Sequence, residues 1–233
     1  MTKWIIFDAM GVVFEEGDDI LNRLVPFLRQ RGSALNSETV HVVYRSASRG
    51  EISSREFWNS LGLGGEYPAI EDEYLDTCLR LDPDFMETIE RLGGKFSLAL
   101  FSNDIKEWSA HLRRKHGLDR IFQTAVISGE VGIRKPAPEI YRILLKRLKA
   151  EGKDCLLIDD RPENLLPAAA LGITPIWLSK EDRKPVDGIP YRISDLSELP
   201  PLVEKIFANP RFTSGKPKPL KKSARRGDKS PDY

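Results

Sequence analysis

Four consecutive β-favouring apolar residues, Trp4-Ile5-Ile6-Phe7, run directly into a carboxylate, Asp8. The run has no polar alternation, which is the pattern of a strand buried on both faces. Such strands belong to parallel α/β sheets, and open sheets of that class bind ligands outside the carboxyl ends of their strands. Asp8 therefore stands where a sheet of this kind places its chemistry. Two residues on comes Met10, a thioether that does not titrate.

Three further segments carry polar groups in the same kind of place. Phe96 to Phe101 is a second apolar run and ends in Ser102-Asn103-Asp104. Cys155 to Ile158 is a third and ends in Asp159-Asp160. Lys135 follows Gly132-Ile133-Arg134 and precedes Pro136-Ala137-Pro138, at the entrance of a helix. In a parallel sheet these ends share one edge, so the groups can converge. Further strands are expected near 124–128 and 174–177, with helices near 105–116, 138–149 and 164–171. Asn164 is placed to cap the last helix, with Pro167 in its first turn. Alternating elements of this kind imply a parallel sheet covered by helices on both faces.

Between the first and second core strands the pattern is helical. Asp18-Asp19 can start a helix through Leu21, Leu24 and Leu28 to Gly32, divided at Pro26. Ser37 can cap a second, and Ser53 with Glu56 forms a capping box for a third, which stops at Gly62. Ile70 to Leu79 is a fourth. Asp82-Pro83 then starts a helix that Gly93-Gly94 ends. The expected organisation is a core of 1–14 and 87–207, a helical insert of 15–86 and a tail of 208–233.

The 233 residues are 40% hydrophobic and 30% charged, as suits one globular unit with an insert. Net charge is +1, but residues 209–233 alone hold eight Lys/Arg against two Asp. That leaves 28 basic against 33 acidic residues elsewhere, so the body is no polyanion binder. The tail, rich in Lys, Pro and Ser, is expected to be disordered, and nucleic-acid binding is disfavoured. Cys78 and Cys155 are far apart and lack metal spacing, which suits reduced structural thiols in the cytoplasm. No run is long enough to span a bilayer, and the first apolar run lacks a basic leader.

The segments FDAMGV at 7–12, FSND at 101–104, RKPAPEIY at 134–141 and LLIDDRPEN at 156–164, in this order and spacing, resemble the haloacid dehalogenase superfamily of hydrolases. The resemblance implies a Rossmann-like parallel core with a small four-helix cap inserted after the first motif. It further implies a phosphatase-type hydrolase acting on a small phosphorylated metabolite. Asp8 would be the nucleophile, since a carboxylate can attack phosphorus and divide one hard displacement into two through an aspartyl-phosphate. Mg²⁺ prefers carboxylate and carbonyl oxygens. Its expected ligands are Asp8, the backbone carbonyl of Met10 and Asp160, with Asp159 beside them. Ser102 and Asn103 would hydrogen-bond the phosphoryl oxygens, and Lys135 would pair with Asp8 and with the transferring charge. Arg49, with Arg45, would contact the leaving group.

Met10 departs from the family pattern, in which an Asp two residues after the nucleophile protonates the leaving oxygen and then activates water. General acid–base help is worth roughly 10²–10⁴ in rate. A substrate needing little protonation, a substitute acid such as Glu15 or Glu16, or loss of activity would each reconcile the site with Met10. Alongside the phosphatase stand a non-catalytic phospholigand- or partner-binding protein and a 2-haloacid dehalogenase, against which Asp159-Asp160 argues. His41, His111 and His116 lie on expected helices without partners, and Phe57 and Trp58 read as core.

Overall fold

A computed structural model describes residues 2–181 and 184–208. In chain order the elements are β1 (Trp4–Phe7), a π-helical turn (Ile20–Leu24), α1 (Val25–Gln30), α2 (Ser37–Ala47), α3 (Ser54–Ser60) and α4 (Ala69–Cys78). There follow α5 (Phe85–Leu92), β2 (Ser97–Ser102), α6 (Lys106–Lys115), β3 (Thr124–Ile127), α7 (Ser128–Val131), α8 (Pro138–Leu148) and β4 (Cys155–Asp159). The last are α9 (Pro162–Ala170), β5 (Thr174–Leu178), β6 (Tyr191–Ile193) and α10 (Leu199–Ala208). The expected basic tail lies, past Ala208, outside the described residues.

The strands form one sheet in the order β3-β2-β1-β4-β5-β6, and each pairing is parallel. β1 is central, flanked by β2 and β4, so the strands that end near Asp8, Ser102 and Asp159 are direct neighbours. Strand alternation divides the apolar side chains between two cores. Ile5, Phe7, Leu98, Leu100, Leu156 and Ile158 face one; Trp4, Ile6, Ala99, Phe101, Cys155 and Leu157 face the other.

The first core continues into the helical insert, where Tyr44, Phe57, Trp58 and Tyr74 pack with Trp108 of α6. Glu71 of α4 joins the two parts by accepting from the indole N–H of Trp58 at 2.9 Å and of Trp108 at 2.8 Å. The chain enters and leaves the insert side by side, with Glu15 N–H on the Arg80 carbonyl at 3.0 Å and Asp82 N–H on that of Val13 at 2.9 Å.

Several boundaries differ from the sequence reading. Asn36, not Ser37, caps α2, because its extended backbone lets its side chain accept from Thr39 N–H at 2.8 Å. Pro26 does divide the first helix, standing in the first turn of α1 directly after the π-helical turn. Helix α5 begins at Phe85, so Pro83 precedes it. Asn164 does not cap α9: Pro162 occupies its first turn and starts the helix earlier, which leaves Pro167 inside it. Strand β6 and helix α10 were not anticipated; a three-residue strand offers too little pattern to read. Among the described residues no helix is long and apolar enough to cross a membrane. Both cysteines are free, and burial pushes the Cys155 thiol up to about 12.

Candidate active site

Asp8 follows β1 and continues its ladder, with its N–H on the Ile158 carbonyl at 2.9 Å. Its Oδ1 accepts from Ala9 N–H at 2.7 Å and lies 2.9 Å from Lys135 Nζ. Lys135 also donates to Asp159 Oδ2 at 2.7 Å and to the Phe101 carbonyl at 3.0 Å. The ammonium is thus held between two carboxylates by the ends of three adjacent strands, with no side-chain exposure. Asn103 aims it: its Oδ1 accepts from Lys135 N–H at 2.8 Å, and its Nδ2 donates to the Lys135 carbonyl at 3.0 Å.

Asp159 is saturated. Besides Lys135 it accepts from Arg161 N–H at 2.9 Å and from Asn164 Nδ2 at 3.0 and 3.1 Å. Asn164 thus acts on Asp159 instead of on the helix end. Asp160 is the opposite case, since its Oδ1 is buried and has no hydrogen-bond partner. Asp8, Asp159 and Asp160 each offer an oxygen within 4.8 Å of the others. Two backbone glycines make room for Asp160. A Cβ on Gly11 would lie 2.6 Å from its Oδ2, and one on Gly17 would lie 2.2 Å from it.

Packed this closely, Asp8 and Asp160 resist ionising. Burial, reinforced by Asp159, pushes the Asp160 carboxyl up to about 6. Burial and Asp159 also push Asp8 up, against the opposing pull of Lys135. Burial alone would lower Lys135, but Asp159 and Asp8 outweigh it and hold the ammonium charged. An orphaned buried carboxylate oxygen among hard oxygen donors is what a divalent cation would satisfy, so the residues fit Mg²⁺.

The centre opens into a cavity of about 620 Å³. Ser102, Asn103, Lys135, Met10, Arg45, Arg49 and His41 all line it, as do Asp18, Asp19, Arg134 and Arg161. Arg49 is half-exposed and lies 3.7 Å from Glu51. Arg134 reaches from the core to the Ser48 hydroxyl of the insert, and Tyr44 of α2 donates to the Asn103 carbonyl at 3.1 Å. The insert therefore forms one wall and the sheet edge the floor.

Glu15 and Glu16, weighed as substitute acids, do not line this cavity. Glu15 borders a separate groove. Glu16 accepts from Asp18 N–H at 3.1 Å and from Asn22 Nδ2 at 2.9 Å. His111 has partners after all, at 2.9 Å from Asp76 and 3.5 Å from Asp72. Sequence reasoning missed Asp19, Arg134 and Arg161. Asp18-Asp19 reads as an ordinary helix start, and nothing local to an arginine beside a motif says which way it points.

A parallel sheet with an acidic, lysine-braced centre at its carboxyl edge and a helical wall above it suits hydrolytic chemistry on an α/β core. The family model of haloacid dehalogenase-like hydrolases matches residues 2–172, and the chain belongs to that family. It is 28% identical over 178 residues to the sesquiterpene phosphatase astK of Aspergillus oryzae, covering 76% of this chain and 90% of that one. Among solved structures it resembles the HAD phosphatase of Thermococcus onnurineus, with a TM-score of 0.68 at 20% identity, over 87% of this chain and 98% of that one. It also resembles a HAD family enzyme of Bacteroides thetaiotaomicron in complex with magnesium and inorganic phosphate. The TM-score there is 0.65 at 19% identity, over 77% of this chain and 95% of that one.

Proposed function

We propose that the protein is a Mg²⁺-dependent phosphomonoesterase that acts on a small phosphorylated metabolite through an aspartyl-phosphate on Asp8. The observation that carries this is Lys135 seated between Asp8 and Asp159 while Asp160 Oδ1 stays buried and unpartnered. Asp8 and Asp160, with the Met10 carbonyl, would hold the cation. Asp159, occupied by Lys135 and Asn164, braces the site from behind. Mg²⁺ bound there supplies charge neutralisation between an anionic carboxylate and an anionic phosphate.

The remaining work belongs to side chains. One Asp8 oxygen attacks phosphorus and the bond to the leaving oxygen breaks. Ser102 and Lys135 hold the phosphoryl oxygens, and Asn103 keeps Lys135 in register. Water then attacks phosphorus and frees Asp8. The cavity wall carries Arg45, Arg49 and Arg134 beside the apolar Met10, Ile20 and Ile133. The arginines suit an anionic group on the substrate, and the apolar residues give room for a carbon skeleton.

Phosphate release from a panel of sugar phosphates, nucleotides and acyl phosphates, with Mg²⁺ and with chelator, tests the reading. Turnover should require Mg²⁺ and vanish in Asp8→Asn. A second reading, a phospholigand-binding protein, is favoured by Met10 alone. Binding of a phosphate mimic without any release would select it.

A further inference from the structure

Met10 leaves the site without the acid that should protonate the leaving oxygen, yet the cavity contains another carboxyl group with no structural task. Asp19 is 5% exposed, lines the cavity, and has a buried Oδ2 with no hydrogen-bond partner. Its place in the chain would suggest an ordinary role. Asp18 caps the π-helical turn through Leu21 N–H, and Asp19, whose backbone is already helical, makes no capping bond. A π-helical turn is itself rare and concentrates at functional sites.

The loop that carries Asp19 is tied to the acidic centre. Arg161 donates to the Gly17 carbonyl at 2.8 Å, and Gly17 packs directly on the Asp160 carboxylate. Two residues span at most ~7 Å of chain, and Asp19 lines the same cavity as Asp8. The neighbouring acids are engaged or exposed. Asp18 Oδ1 accepts from Leu21 N–H at 3.2 Å, Glu16 is held by Asn22, and Glu163 lines the cavity but is solvent-exposed.

We propose that Asp19 is the acid–base residue of this site, supplying the proton transfer that Met10 cannot. This rests on the phosphatase reading above. As the bond from phosphorus to the leaving oxygen breaks, its electron pair stays on that oxygen, which takes the Asp19 proton. In the second half the Asp19 carboxylate takes a proton from water while the water oxygen attacks phosphorus. The bond between phosphorus and the Asp8 oxygen breaks, and Asp8 and inorganic phosphate are released.

The electrostatics agree with that task. Burial, with Asp18 and Glu16 beside it, pushes Asp19 up to about 7, against the pull of Arg161. Tyr44 of α2, Tyr74 of α4 and Asp104 beyond β2 also feel its charge. A carboxyl group titrating near neutrality can both give and take a proton there.

The test is Asp19→Asn, with Asp19→Glu as a second variant, assayed on an alkyl phosphate such as glycerol phosphate and on p-nitrophenyl phosphate. Asp19→Asn should lose about 10²–10⁴-fold in kcat/KM on the alkyl ester. The loss on p-nitrophenyl phosphate should be far smaller, since that leaving group needs little protonation. Phosphoenzyme should then accumulate on Asp8, visible by intact mass, because water activation is impaired. Asp19→Glu should recover part of the alkyl activity. Equal losses on the two esters, or full alkyl activity in Asp19→Asn, would overturn the assignment while leaving the phosphatase reading intact. If Asp19→Asn does not fold, the ratio of the two esters in Asp19→Glu decides: an unchanged ratio overturns the proposal. Wild-type protein that releases no phosphate with Mg²⁺ overturns the phosphatase reading, and this inference with it.

Discussion

Replacing Lys135 by Met should damage the fold itself, not only the chemistry. The Lys135 ammonium is fully buried, and its partners are Asp8 at 2.9 Å, Asp159 at 2.7 Å and the Phe101 carbonyl at 3.0 Å. Met fills a similar volume, so packing changes little and the effect is electrostatic. Two carboxylates with oxygens within 4.8 Å of each other are left facing. At an effective dielectric of ~20, unit charges at that separation repel by about 3.5 kcal/mol. Removing one partner of a buried ion pair costs about 3–5 kcal/mol by experience with other proteins, and the two figures agree. In a protein of this size that lowers Tm by roughly 6–20 °C.

Urea unfolding in chelator, at pH 9.5 and at pH 6, measures this for wild type, Lys135→Met and Lys135→Met/Asp159→Asn. Burial and Asp159 already push Asp8 up to about 8 with the ammonium beside it, so the repulsion develops only above that pH. At pH 9.5 the single variant should lose about 2 kcal/mol, at ~1.4 kcal/mol for each pH unit above the wild-type carboxyl and on the way to the full ~3–5 kcal/mol. At pH 6 the loss should shrink, because Asp8 carries its proton in both proteins and the repulsion disappears. The double variant should regain most of the loss at pH 9.5, since one of the two facing charges is gone. A loss below about 1 kcal/mol at pH 9.5, the range of an exposed pair, would refute the reasoning. A double variant no more stable than the single would refute it equally.

Two other substitutions test how the site is framed. Gly17→Ala puts a methyl group 2.2 Å from Asp160 Oδ2 and must displace that carboxylate. A misplacement near 1 Å costs about 10²-fold in rate, to be read from initial rates titrated with Mg²⁺; unchanged rates would mean that Asp160 needs no fixed position. Glu71→Ala removes the shared acceptor of two buried indole N–H groups, on Trp58 and Trp108. At about 1–3 kcal/mol for each orphaned donor, thermal unfolding should show a loss of about 2–6 kcal/mol, and a loss below 1 would deny that Glu71 joins insert to core.

The strands that carry Asp8, Ser102 and Asp159 were legible because burial on both faces leaves an uninterrupted apolar run, and a polar residue ending such a run marks the sheet edge. Lys135 was legible only through the motif around it. Its meeting with Asp8 and Asp159 depends on the crossover that brings the loop before α8 back over β2, which no local pattern states. Asn164 shows the opposite error. A cap is a local role that sequence favours, but Pro162 at the start of α9 leaves Asn164 inside the first turn, free to reach Asp159. Strand β6, three residues long and half-exposed, is made a strand by pairing with β5, not by its own composition.

Asp19 shows where local reading stops. In sequence it is an acidic residue at a helix start, a common structural use of Asp. What distinguishes it is a pair of absences in space: no partner for Oδ2 and little exposure. Glu15 and Glu16 are nearer to Met10 along the chain, yet the turn sends one to another groove and binds the other to Asn22. Proximity in sequence to a missing group is therefore a weak guide to its replacement. An acid–base partner has to be dry, unsatisfied and open to the cavity, and the packing of Arg161 and Gly17 against Asp160 is what brings those conditions to Asp19.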